Sequence, residues 1–228
     1  MIKIYCIPHA GGSAYSFNNY QKLNNSIVKF IPMELKGRGK RIKEPFSTSI
    51  QAMAYDLFEH IISTQDDSEY MILGHSMGAV IAFELALLIR KNNFRDPKVV
   101  LLSGMKPFHY YTPVTISDMS KEDLKEYILS MGATQKELFD NSALSEVFLP
   151  IIISDLKNME RYNYMIQEKI VSDIIVLSGQ EDYLNNDYLD DWNNYTEKKC
   201  KVLQFPGGHF FLYDKNEQII EQVMRITS

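Results

Sequence analysis

Gly74-His75-Ser76-Met77-Gly78 lies between the apolar run Tyr70-Met71-Ile72-Leu73 and a long helical pattern that begins at Met77. A serine flanked by glycines where a strand turns into a helix is what a nucleophile needs. The turn is so tight that only small residues fit beside it, and it presents the hydroxyl at a helix N-terminus, where peptide dipoles favour developing negative charge. The bare pattern arises by chance; the strand and helix flanks make it specific. A serine hydroxyl is a weak nucleophile at neutral pH. Ser76 therefore requires a base, and the base requires a carboxylate to orient it.

Five histidines are available. His209 stands in Pro206-Gly207-Gly208-His209-Phe210-Phe211, just past the last β-rich run. Glycines there permit a sharp loop, and the position completes the chain order serine, acid, histidine. His209 is the expected base. His75 is expected to point away from the turn, and His60 and His109 to be solvated or packed. The acid should follow the preceding strand, where Ile174-Ile175-Val176-Leu177-Ser178-Gly179-Gln180-Glu181-Asp182 supplies two carboxylates. Asp182 is preferred, because Gly179 lets the loop turn and the third residue beyond it can reach back over the strand end. Glu181, Asp187, Asp190 and Asp191 are the alternatives. Attack on an acyl group creates an oxyanion, which needs N–H donors from the residue after the nucleophile and from an early glycine-rich loop. Met77 supplies the first. Pro8-His9-Ala10-Gly11-Gly12-Ser13 supplies the second, with Ala10 the expected donor.

These residues must be held by a scaffold, and the sequence describes one. Short β-rich runs at Ile2–Pro8, Ile27–Met33, Tyr70–His75, Val99–Ser103, Asp173–Ser178 and Cys200–Phe205 alternate with helical patterns at Phe17–Asn24, Ser49–Ser63, Met77–Lys91, Tyr188–Tyr195 and Asn216–Thr227. Such alternation predicts an α/β protein: a mostly parallel sheet with helices on both faces. Apolar residues at 50, 53, 54, 57, 58 and 61 follow the helical stripe, so that helix buries one face. With the serine turn, the order of chemical groups and the alternation, the expected architecture is the α/β-hydrolase fold. A single domain over residues 1–228 is expected. Residues 105–170 interrupt the alternation with helix-like pieces at Lys121–Met131 and Ser145–Tyr164. They read as an inserted helical lid over the carboxyl edge of the sheet, where open α/β sheets bind ligands. Met119, Met131, Met159 and Met165 lie in this insertion. They suit either an adaptable acyl-binding surface or ordinary core filling.

A formal net charge of -5 opposes non-specific nucleic-acid binding, which depends on many cations neutralising phosphates. The start of the chain lacks the layout of a secretory signal. The most apolar stretch, Met77 to Ile89, contains Gly78 and Glu84 and is too short to span a bilayer, so no membrane segment is expected. Two cysteines, Cys6 and Cys200, are expected to stay reduced. Lys36-Gly37-Arg38-Gly39-Lys40-Arg41-Ile42-Lys43 concentrates cations in an acidic protein. It could steer an acidic partner or its phosphate, or simply be a solvated loop.

Four blocks together resemble the stand-alone type II thioesterases that accompany non-ribosomal peptide and polyketide synthases: Pro8-His9-Ala10-Gly11-Gly12-Ser13, the Gly37-Arg38-Gly39…Arg41…Glu44-Pro45 run, Gly74-His75-Ser76-Met77-Gly78, and Gly207-Gly208-His209-Phe210-Phe211. The resemblance spans nearly the whole chain. It implies hydrolysis of acyl or aminoacyl groups from the phosphopantetheine thiol of peptidyl or acyl carrier proteins, removing mis-primed or stalled units. It also implies a helical lid, a cytoplasmic, independently acting monomer, and no metal or cofactor. Lys36 and Tyr183 stand where that family usually has proline, and Ile153-Ser154-Asp155 lacks the arginine that often precedes the aspartate. A small-molecule esterase or lipase on the same fold, a non-catalytic binding protein and a chain-terminating cyclase are the rival readings.

Overall fold

The computed structural model describes residues 1–64, 66–132, 136–163, 168–184 and 188–227. Six strands, β1 (Ile2–Ile7), β2 (Val28–Pro32), β3 (Tyr70–His75), β4 (Val99–Ser103), β5 (Asp173–Gly179) and β6 (Cys200–Phe205), form one sheet in the order β2-β1-β3-β4-β5-β6. Every neighbouring pair is parallel, so all six carboxyl ends lie along one edge.

Both faces of the sheet are covered, and the strand period of two sorts side chains between them. In β1, Tyr5 and Ile7 join one apolar cluster while Ile4 and Cys6 join the other. The first cluster is closed by α2 (Ile50–Thr64) and α3 (Met77–Lys91), the second by α1 (Asn18–Gln21) and α8 (Asn216–Thr227), the latter through Ile219, Ile220 and Val223. The stripe anticipated in α2 is the buried one: Ile50, Met53, Ala54, Leu57, Phe58 and Ile61 all face inward. β3 is buried along its full length, as a central parallel strand covered on both faces must be.

Two expected helices differ. The Phe17–Asn24 pattern is a 3-10 turn at Ala14–Phe17 followed by the single turn of α1. Ser13 starts it by accepting from the Tyr15 amide, and Asn24 lies beyond it because its side-chain oxygen accepts from the Phe30 amide of β2. Leu189–Tyr195 is 3-10 rather than α-helical, with Trp192 fully buried as its anchor.

Between β4 and β5 the described residues form helices and no sheet strand: α4 (Lys121–Ser130), α5 (Glu137–Asp140) and α6 (Ser142–Arg161). α6 begins three residues earlier than its apolar pattern suggested, because Asn141 caps the Ala143 and Leu144 amides. The expected end of that helix at Tyr164 lies outside the described residues. Ile116, Ile128, Ile152 and Leu156 make a small apolar cluster of their own, against which Ala10 packs. α7 (Phe211–Asp214) follows the His209 loop.

Among the described residues no helix is long and apolar enough to cross a membrane. Cys6 and Cys200 are both free, on β1 and β6. Four strand spacings separate these strands, about 19 Å, far beyond the reach of a disulfide.

Candidate active site

The sheet register brings the three chemical loops to one edge. β3 ends at His75 opposite Ser103, and the Ser76 amide donates to the Ser103 carbonyl at 2.8 Å, which anchors the turn. Ser76 then takes φ 55° and ψ -119°, a conformation that costs an L-residue on the order of 1–3 kcal/mol. The flanking glycines are steric necessities. A Cβ on Gly74 would lie 2.0 Å from the Gly78 carbonyl oxygen, and one on Gly78 would lie 2.3 Å from the Ile7 carbonyl oxygen. Ser76 makes no capping bond to α3, so its hydroxyl is not spent on the helix it precedes.

His209 Nδ1–H donates to Asp182 Oδ2 at 2.9 Å, and both side chains are buried. The second carboxylate oxygen of Asp182 accepts from the Leu184 amide at 2.9 Å, which fixes the acid's orientation. The loops carrying them are laced together: Gly179 closes the turn by accepting from the Asp182 amide, and the Glu181 amide donates to Gly207. Glu181 and Asp190 are exposed, Asp191 accepts from the Tyr110 hydroxyl, and Asp187 lies outside the described residues. Asp182 alone among the described alternatives meets His209. His60 and His109 are exposed, His109 bonding Tyr195.

His75 does not simply point away. It is fully buried, bonds Ser103 Oγ through Nδ1 at 3.0 Å, and its ring lies 5.0 Å from that of His209. His9 completes a cluster, with Nδ1 2.7 Å from the Tyr213 hydroxyl and its ring edge-on to Phe210. Burial, and after it the charge of His209, drives His75 well below the usual imidazole range and His9 down to about 4. Both imidazoles are therefore neutral supports near neutral pH. Gly104, at the end of β4 with φ +60°, lets them close: a Cβ there would lie 2.7 Å from His75 Cε1 and 3.1 Å from His209 Cε1. Nothing in the sequence distinguished Gly104 or Tyr213 from an ordinary turn glycine and helix tyrosine.

Ala10, Ser76 and Met77 lie together at a cavity of about 280 Å3 whose walls include Met105, Met131, Leu156 and Met159. Two of the methionines singled out by sequence thus line it. Met119 packs in the insertion's own cluster, and Met165 lies outside the described residues. Among the described residues, neither the Ala10 nor the Met77 amide donates to a main-chain carbonyl. A second, more open depression of about 450 Å3, which Ala10 also lines, is bordered by Ser13, Ser16 and the start of α6.

The basic run divides between paired and exposed cations. Arg38 is buried and makes a bidentate pair with Asp155 of α6 at 2.6 and 2.7 Å. Arg41 bonds both Glu44 and Asp56, and Lys36 pairs with Asp56 at 3.1 Å. Lys36, Arg38 and Arg41 thus each face a carboxylate, while Lys40 and Lys43 stay exposed, a division that a local charge count cannot reveal.

A family model described as thioesterase domain matches residues 2–227. The chain is 28% identical over 225 residues to the human S-acyl fatty acid synthase thioesterase, medium chain, covering 96% of this chain and 84% of that protein. It is 27% identical over 224 residues to the gramicidin S biosynthesis protein GrsT of Aneurinibacillus migulanus, covering 96% and 86%. Among solved structures, ClbQ from the colibactin NRPS/PKS pathway superimposes with a TM-score of 0.89 at 29% identity, covering 97% of this chain and 95% of that one. The type II thioesterase BorB from the borrelidin biosynthetic cluster gives 0.86 at 26% identity, covering 100% and 93%.

Proposed function

The chain belongs to the thioesterase domain family, and from that premise we propose that it hydrolyses acyl or aminoacyl thioesters borne on the phosphopantetheine arm of peptidyl or acyl carrier proteins, clearing mis-primed or stalled synthase modules. The observation that carries the chemistry is the buried Asp182–His209 pair on the same sheet edge as a serine held at positive φ, beside a cavity that Ala10 also lines.

In this mechanism Asp182 holds the His209 ring with Nδ1 protonated, leaving Nε2 as the base. Nε2 takes the Ser76 proton as Oγ attacks the thioester carbonyl, and the Ala10 and Met77 amides hold the resulting oxyanion. The tetrahedral centre collapses, the C–S bond breaks, and the imidazolium returns its proton to the departing thiolate. Water, deprotonated by His209, then attacks the acyl-serine. The second collapse frees the carboxylic acid and returns the proton to Ser76. A thiolate leaves far more readily than an amine, so the site needs little leaving-group assistance.

The helical insertion over residues 105–170 serves as a lid whose methionines and Leu156 receive the acyl chain. The open depression that Ala10 also lines would offer the pantetheine arm a way out to solvent. Similarity to proteins named for synthase pathways supports the carrier-borne substrate. Two unpaired thiols suit the cytoplasm, where such synthases would be met.

The test is release of an acyl group from a phosphopantetheinylated carrier protein, followed by intact mass, for wild type and Ser76→Ala, with the same acyl group on a free thiol for comparison. Ser76-dependent release that is faster from the carrier establishes the proposal. No release alongside brisk turnover of simple esters would leave a general esterase.

A further inference from the structure

The Arg38–Asp155 pair joins three segments that are remote in sequence. Asp155 Oδ2 accepts both from Arg38 Nη1 at 2.6 Å and from the Gly11 amide at 2.8 Å, while Arg38 Nη1 also donates to the Gly12 carbonyl at 3.0 Å. Gly11 is the residue after Ala10. The lid helix α6 touches the same spot a second time: a Cβ on Gly11, whose φ is +78°, would lie 2.6 Å from Ile152 Cγ1. Ile152, Asp155, Leu156 and Met159 recur at helical spacing on one face of α6. That face meets the glycine loop with its first two members and the acyl cavity with its last two.

Resting on the acyl-transfer reading above, we infer that Arg38 and Asp155 are a positioning pair that couples the seating of α6 to the placement of the Ala10 amide, so that the oxyanion donor is in place only while the lid helix is down. A stability argument alone does not account for the arrangement, since a buried ion pair is often no better than an apolar pair of similar volume. Its distinguishing feature is that the carboxylate ends on a main-chain amide beside the donor. Lifting α6 would remove the acceptor from Gly11 and the partner from Arg38 in one motion. Filling of the acyl cavity against Leu156 and Met159 favours the seated helix, so an acyl group that fits promotes its own hydrolysis.

The experiment compares two doubly substituted proteins that both lack the buried charges, Arg38→Met with Asp155→Leu, and Arg38→Met with Asp155→Asn. Both should unfold near the wild-type temperature, because neither strands a charge. Only the asparagine protein keeps an acceptor for the Gly11 amide. On a soluble acyl thioester at saturation, the leucine protein should lose about tenfold or more in kcat, a misplaced oxyanion donor costing less than a deleted one. The asparagine protein should recover most of that loss. The single Asp155→Asn protein strands Arg38 and should be the least stable, yet exceed the leucine protein in kcat per folded molecule. Equal kcat in the two double variants, or kcat that simply follows stability across all three, would overturn the inference while leaving a Ser76-dependent wild type intact. A wild type inactive on every thioester would overturn the functional reading and this inference together.

Discussion

Asp182 and His209, 27 positions apart in the chain, meet through a single 2.9 Å hydrogen bond that is buried on both sides. Because the other Asp182 oxygen is already held by the Leu184 amide, the carboxylate cannot turn away, and it dictates which His209 nitrogen carries the proton. Asp182→Asn should keep the fold but present an amide N–H or a weaker acceptor to Nδ1. Turnover should fall by roughly 10³-fold or more, as expected when the base is held in the wrong tautomer. Thioester hydrolysis, with circular dichroism as the control on folding, checks this; a loss under tenfold would remove Asp182 from the mechanism.

The strained backbone at Ser76 gives a prediction of opposite sign for stability and activity. Ser76→Gly removes the hydroxyl and also relaxes a φ of 55° that glycine adopts freely. Relief of the strain outweighs the larger chain entropy of an unfolded glycine, for a net gain of about 1 kcal/mol. Tm should therefore rise by about 2–4 °C while hydrolysis and fluorophosphonate labelling vanish. A lower Tm would mean that the turn stores no strain.

The glycines of the same turn behave differently. Gly78→Ala places a methyl group within 2.3 Å of the Ile7 carbonyl oxygen, and backbone is all there is to yield. The expected loss is about 2 kcal/mol or more of stability by urea titration, with turnover falling further than the folded fraction explains.

The serine turn, the two loops that bring Asp182 against His209 and five of the longer elements could be read in advance for one reason: each is signalled by a few adjacent residues. β3, β4, β6, α3 and α8 have the boundaries their patterns predict. What escaped is what the fold brings together from afar. Arg38 reads as one more cation in a basic run until α6 sets Asp155 against it. His9 and Tyr213 lie at opposite ends of the chain and meet because β1 and the His209 loop finish on one sheet edge. The helix expected at Phe17–Asn24 is instead a 3-10 turn and one helical turn over Ala14–Gln21, because propensity says little about single turns whose geometry is set by Ser13 and by the junction with β2.

Acid should find the histidine cluster before the rest of the molecule. His75 lies well below its ordinary value and His9 near 4 because burial disfavours their charged forms. Between about pH 4 and 6.5 the unfolded chain binds protons that the folded chain refuses, so stability rises with pH across that window and is lost on acidification. Above about pH 7 both states are neutral at these positions and the contribution is flat. Each histidine can add at most about 1.4 kcal/mol per pH unit. Urea midpoints should fall from pH 7 to pH 5, and His9→Gln, which keeps a polar contact for Tyr213 without a titrating ring, should flatten that slope. An unchanged slope would show that His9 titrates normally in the fold.

Acyl selectivity should follow the walls of the 280 Å3 cavity. That volume is small for a ligand site, which favours short and medium chains over long ones. Met159 is almost fully buried and lines the cavity from α6, on the same helical face as Leu156. Met159→Phe replaces an adaptable thioether with a rigid ring, which the seated helix can accommodate only by filling the cavity. The far end of a longer chain then loses its place. Since each methylene in an apolar pocket is worth about 1–3 kcal/mol, kcat/KM for a decanoyl thioester should fall roughly tenfold or more relative to an acetyl thioester, with acetyl turnover nearly unchanged. Competition between the two thioesters in one reaction reads the ratio directly. An unaltered ratio would place the acyl chain elsewhere, the solvent-open depression bordered by Ser13 and Ser16 being the alternative. A loss shared equally by both thioesters would instead mean that the ring had lifted α6 away from Gly11.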